Sequence, residues 1–260
     1  MNSNFATIQK CWLVTFNLAV SEIKVRYKQS VFGYGWALAK PLSLALVFTF
    51  LFQSISKLNT DGVPYFIYVF AGVLCWDLFS SVINTATNSI VKYRQIIERF
   101  NYPRLLFPCV GILSSLFDFF IGIVVFAFFY ILFGTEFRWE ILLLPLCFVY
   151  IIAAGFCIGV WTSALTVWFR DIRYITQYLL QILMLISPIG FSPENIPNSF
   201  GFINYINPVL PAIELVRYCL FGSTIESVLY SSICLVIMLL FTALGVFNFQ
   251  KLQGRFLDVL

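Results

Sequence analysis

Two carboxylates, Asp77 and Asp118, stand inside apolar runs long enough to enter a bilayer, where an ionised acid is costly. Two chemistries are open to them: a proton relay, or protonated or hydrogen-bonded carboxyls that tie helices together. No basic residue is expected at similar depth in any span. A second set of residues is neutral. Tyr174, Gln177, Tyr178 and Gln181 recur at steps of three and one and so share one helical face, and Thr49, Gln53 and Ser56 do the same elsewhere. Such stripes offer stacking surface and uncharged hydrogen-bond partners, and should face protein or water, not lipid. They suit either a conducting wall or glue between helices. Charge gathers in two short stretches, NTATNSIVKYRQIIERFNYPR at 84–104 and FRDIRY at 169–174. In the first, Ile90, Tyr93, Ile97 and Phe100 fall at helical spacing, Lys92, Arg94, Glu98 and Arg99 take the other faces, and Pro103 ends the run. It reads as a short amphipathic docking helix, or else as a solvated basic loop that only fixes topology. Arg170, Asp171 and Arg173 form a tight charged reversal with the same two readings. The 7 cysteines include no CxxC pair, and the 0 histidines leave a metal site without its usual donors, so the thiols read as small buried side chains. No glycine is followed by lysine, so the chain carries no Walker A phosphate loop.

The elements that must hold these residues follow from composition. With 260 residues, 60% hydrophobic, 11% charged and a mean hydropathy of +0.90, the chain reads as an all-α polytopic membrane protein. A crossing needs about 20 apolar residues. Six transmembrane helices are expected, over 41–56, 63–83, 105–133, 141–168, 175–189 and 227–249. Gly155 and Gly159 make one GxxxG, read as ordinary helix packing. Six spans leave both ends on one side, which then holds all the basic residues except Lys57, Arg138 and Arg217. That side is the cytoplasm, so both termini and the loop at 84–104 face inward. The net charge of +4 reports topology and gives no basis for nucleic-acid binding. No signal peptide is expected before the first span.

Residues 1–30 read as an N-terminal amphipathic interface helix. Phe5, Ile8, Trp12, Phe16, Ala19, Ile23 and Tyr27 make one stripe, and Lys10, Asn17, Lys24 and Lys28 another. Lys24, Arg26 and Lys28 are candidates to meet lipid headgroups, Arg26 by snorkelling. Gly33, Gly35 and Pro41 can then turn the chain into the first span. Beyond Pro188, the prolines 193, 197, 208 and 211 forbid one continuous helix, so 190–225 reads as an external, gate-like segment with a re-entrant or interfacial helix. Asn207 and Pro208 would open that helix, which runs to Phe221 with Gly222 closing it.

These features together resemble the permease subunit of ABC type-2 exporters, in the branch that moves lipid-linked polysaccharides such as O antigen, capsule and teichoic acid. The resemblance covers nearly the whole chain and is carried by RYKQSVFGYGWALAKP at 26–41, IIERFNYPRLLFP at 96–108, FRDIRY at 169–174, and the run from SPIGF at 187 through NPVLPAIELVRYCLFG to Gly222. It implies a single transmembrane permease domain over 1–260, a homodimer in the inner membrane, and two copies of a separate ABC ATPase subunit docked below. ATP and magnesium would belong to that partner, and this chain would bind no cofactor and be no enzyme. Residues 90–101 would be a coupling helix and 169–174 a second contact, so Tyr93, Ile97, Glu98, Arg99, Arg170, Asp171 and Arg173 are the expected ATPase-coupling residues. The first and fifth spans would line a glycan path with Thr49, Gln53, Tyr174, Gln177, Tyr178 and Gln181. O antigen is the first expected cargo, with capsule or teichoic acid as alternatives. A proton-coupled secondary transporter using Asp77 and Asp118 is a rival, but no internal repeat of the kind such transporters often show stands out. A membrane enzyme acting on lipid-linked sugars would need a metal cluster or paired exposed carboxylates, which the sequence lacks.

Overall fold

The computed structural model describes residues 2–28, 30–55, 63–100, 102–191, 207–223 and 228–252. Among these every regular element is a helix: α1 (Asn2–Lys28), α2 (Gly35–Ile55), α3 (Tyr65–Lys92), α4 (Arg94–Arg99), α5 (Leu106–Leu132), a 3-10 turn (Trp139–Leu143), α6 (Leu144–Trp168), α7 (Ile172–Ile186), α8 (Leu210–Phe221) and α9 (Val228–Leu252). Three helical stretches, Tyr65–Lys92, Leu106–Leu132 and Trp139–Trp168, are long and apolar enough to cross a membrane, and Gly35–Leu51, Ile172–Ile186 and Val236–Leu252 are shorter apolar helices.

The bundle is built around α3. Its residues Ile67, Phe70, Val73, Phe79, Ile83 and Ile90 are fully buried, with α6 and α5 packed along most of its length and α2, α7 and α8 along parts. The α3–α6 seam depends on the GxxxG pair: a Cβ on Gly159 would lie 2.6 Å from the Cβ of Ala86, so only glycine lets the backbones approach this closely.

α3 runs nine residues past the end expected of its span, so 84–92 is helix and not loop. Thr87, Asn88 and Ser89 of the polar run that suggested a loop bond their own helix. Thr87 donates to the Ile83 carbonyl at 2.7 Å, Asn88 to Asn84 at 2.7 Å and Ser89 to Ala86 at 2.7 Å, and Thr87 pairs across to Thr162 of α6 at 2.6 Å. The chain breaks only at Tyr93 (φ −98°, ψ 17°), leaving α4 as a single short helix in which Ile97 is buried, while Phe100 is 56% exposed. α2 likewise begins at Gly35 and carries Pro41 inside it instead of before it.

α1 packs mainly on α5, but in a different register from the expected aromatic stripe. Thr15, Ala19 and Tyr27 are buried, whereas Trp12 and Phe16 are 58% and 50% exposed. Thr15 and Ala19 allow the close contact, Tyr27 closes it at the far end, and the rings of Trp12 and Phe16 stay outside it. Phe5 and Ile8 lie outside the described side chains.

α8 opens at Leu210, not at Pro208. Asn207 accepts from the Val209 amide at 3.1 Å and donates to the Ser187 hydroxyl at 2.8 Å, an Asx turn ahead of the helix in place of a cap. Gly222 closes it at φ 74°, the left-handed position that glycine takes freely. α8 is largely buried, against α3 and α6. Residues 192–206 and 224–225 of the expected gate-like segment lie outside the described residues.

Candidate functional site

The two intramembrane carboxylates are both ion-paired. Lys40 of α2 reaches Asp77 of α3 at 2.5 Å, and Asp118 of α5 receives Arg26 of α1 together with the Tyr27 hydroxyl at 2.6 Å. This corrects the expectation that no basic residue reaches their depth. The cations come from α1 and α2, which lie alongside the spans bearing the acids, and long side chains close the remaining gap. A polar cavity of about 330 Å³ opens between the two pairs, lined also by Trp36 and Ser81.

Further along α1, Glu22 gathers three donors onto a carboxylate whose side chain is 8% exposed. Lys92 lies at 2.7 Å, the Tyr93 hydroxyl at 2.7 Å and Arg26 at 3.3 Å. Burial, and then the Glu22 charge, push the Tyr93 phenol well above its ordinary range, so it stays a proton donor at any physiological pH. Its ring stacks on Phe107 at 5.5 Å. Sequence reading singled out Tyr93 for its spacing but gave Glu22 no role. The signal was there: Glu22 and Arg26 stand one helical turn apart beside a buried stripe. Arg26, expected to snorkel, pairs with Asp118 and Glu22 while staying exposed, as Lys24 and Lys28 are.

At the corner, Arg94 and Glu98 pair with each other at 2.6 Å on the exposed side of α4, and Arg99 is exposed beside them. Ile97 points the other way, into a buried cluster with Ala164 and Val167 at the end of α6. α4 and the 169–171 turn therefore sit at the same end of the bundle. That turn exposes Phe169, Arg170 and Asp171, closes with the Ile172 amide on the Phe169 carbonyl at 3.1 Å, and has Arg173 donating back to the Arg170 carbonyl at 3.4 Å.

α7 has two distinct faces. Thr176 and Leu180 are buried with Leu183 and Met184 packed nearby, while Tyr174 and Tyr178 are 66% and 64% exposed and share their open face with Gln177 and Gln181. The four predicted residues thus form one exposed stripe. Thr49 is half-buried and bonds the Ala45 carbonyl of its own helix at 2.7 Å, and the Gln53 side chain lies outside the described ones.

Arg217 was placed by sequence among the outer loop cations. It is 2% exposed, with its guanidinium 3.7 Å from the Tyr68 ring centre, donating to the carbonyls of Pro188 (2.8 Å), Ile189 (2.7 Å) and Phe191 (3.3 Å). It ties α8 to the chain reversal after α7. The one sequence hint was an arginine set in the apolar run ELVRYCLF.

The chain is 28% identical to the O-antigen export system permease protein RfbA of Klebsiella pneumoniae over 243 residues, covering 92% of each. It is 24% identical over 173 residues to the RfbA of Myxococcus xanthus, covering 66% of each. The polysialic acid transport protein KpsM of Escherichia coli is 24% identical over 217 residues, 77% of this chain and 78% of that one. The ABC-2 type transporter family matches residues 14–221, a stretch that runs from α1 to the end of α8 and takes in both charged corners, so the chain belongs to the ABC-2 type transporter family of membrane permeases.

Proposed function

We propose that this chain is the membrane subunit of an ATP-driven exporter of a lipid-linked polysaccharide, with O antigen as its cargo, working in the inner membrane as a homodimer with two copies of a separate ATPase. The likeness to the O-antigen export permease over 92% of both chains is the observation that carries the reading. The exposed stripe of α7 supports it chemically. A sugar chain presents hydroxyls at its edges and CH patches on its faces, and a wall of Tyr174, Gln177, Tyr178 and Gln181 offers stacking and neutral hydrogen bonds without fixed charge to trap it. Thr49 and Gln53 would add to that wall from α2. The exposed charges of α4 and the 169–174 turn, both at one end of the bundle, suit the ATPase contact, with that end and both termini in the cytoplasm. Lys24 and Lys28 would meet headgroups there.

Polysialic acid transport by a relative keeps capsule as the second cargo. The proton-coupled alternative is less well supported, since Asp77 and Asp118 are each engaged by a cation from a neighbouring helix, Lys40 and Arg26, as contacts that tie helices together.

The test is export into a surface-exposed pool. A strain lacking its O-antigen permease but supplied with this chain and its ATPase partner should regain surface O antigen, and the purified chain alone should turn over no ATP. Continued accumulation of inward-facing lipid-linked O antigen, with the complex assembled, would refute the cargo. ATP hydrolysis by the isolated chain would refute the division of labour.

A further inference from the structure

α1 packs on α5 with Thr15, Ala19 and Tyr27 buried, and beside that contact it is tied to the bundle by charge. Two cavities, of about 230 and 330 Å³, flank the Glu22 and Arg26 side chains, one against α3 and α5 and the other against α2, α3 and α5. A helix that only scaffolds is expected to close such gaps with packed side chains. Here a series of charge-assisted bonds spans them instead. It begins at Lys92 and Tyr93, where α3 breaks into α4, and both bind Glu22. It passes one helical turn along α1 to Arg26, and from there to Asp118 on α5. Both oxygens of Glu22 are engaged, Oε1 by Lys92 and Arg26 and Oε2 by Tyr93. Every link in the series is a side chain, so α1 can follow the corner without disturbing helix backbones.

We infer that Glu22 is a positioning residue that transmits movement of the α3–α4 corner to α1 and, through Arg26, to Asp118. The inference rests on the reading of the α4 corner as the ATPase contact. The corner is well placed to drive such a link. Tyr93 is both the hinge residue and a ligand of Glu22, and its ring rests on Phe107, so a rotation of α4 against α5 must move the hydroxyl that Glu22 holds. Glu22 thereby acts through its neighbours and touches neither cargo nor nucleotide.

The experiment uses the complex with its ATPase in proteoliposomes and compares Glu22→Gln with Glu22→Asp. Glu22→Gln keeps the size of the side chain but loses the charge that holds Lys92 and Arg26. ATP turnover should stay within about twofold of the unaltered complex while polysaccharide exported per ATP falls at least about fivefold, and Glu22→Asp should recover part of the loss. A merely structural role would lower turnover and export together, in proportion to the assembled complex, and that result overturns the inference. So does unchanged export per ATP in Glu22→Gln. A second measurement needs neither partner nor cargo. With spin labels at Asn17 on α1 and Phe120 on α5 of the full chain, Glu22→Gln should broaden the distance distribution, and an unchanged distribution overturns the link. If the unaltered complex exports no polysaccharide, the proposed cargo is wrong, while the spin-label result still decides the link.

Discussion

Arg217 shows how much one side chain can organise. A guanidinium sealed from solvent would be prohibitive without partners, and here three carbonyls engage its two terminal nitrogens and the face of Tyr68 meets its charge. Replacing it by methionine keeps the volume and abandons those carbonyls in a buried site. We expect Arg217→Met to cost about 3 kcal/mol, given about 1.5–3 kcal/mol for a hydrogen bond to a charged group, read as a lowered midpoint of thermal unfolding in detergent. Arg217→Lys should recover only part, because one ammonium cannot serve carbonyls 188 and 189 while lying flat on the ring. Equal midpoints for Arg217→Met and the natural chain would dismiss the role. Sequence could find the carboxylates at this scale, since an acid in an apolar run is conspicuous, but not their partners. Asp118 meets a residue 92 positions earlier and Asp77 one 37 positions earlier, and no periodicity spans such separations.

At the scale of elements, helix type was readable and helix ends were not. The apolar runs identify α3, α5 and α6 directly. The end of α3 was hidden because threonine, serine and asparagine, which usually favour turns, can bond their own helix's carbonyls and remain buried. α7 was legible because its polar residues sit on one face and its apolar residues on the other, which is also why its two faces make separable predictions. Thr176 and Leu180 hold the helix in the bundle, whereas Tyr178 and Gln181 touch little of this subunit. A Tyr178→Ala and Gln181→Ala double variant should change stability by less than about 0.5 kcal/mol, as exposed positions usually do, and still cut polysaccharide export severalfold. Export at the natural rate from a stably assembled double variant would remove α7 from the glycan path.

For the whole molecule, the asymmetry of basic residues predicts which end meets the ATPase. Both charged corners lie at one end, and of the second corner Phe169, Arg170 and Asp171 are exposed with no buried role to confuse the test. Arg170→Glu should therefore lower export by about tenfold or more while leaving membrane insertion and unfolding temperature unchanged, the effect of reversing one charge at an interface. Crosslinking from cysteines placed at Glu98 or Arg170 should capture the ATPase, and failure at both positions would move the contact elsewhere. The family was legible from the order of its motifs, while the ion pairs needed the fold, because they join four helices, α1, α2, α3 and α5. That network also bears on how the chain is made. Domains emerge from the ribosome amino end first, and in the two pairs that hold Asp77 and Asp118 the cation precedes its acid: Arg26 before Asp118, and Lys40 before Asp77. Each carboxylate thus enters the bilayer after the residue that neutralises it has been synthesised, so neither acid has to wait for its counter-ion to be translated.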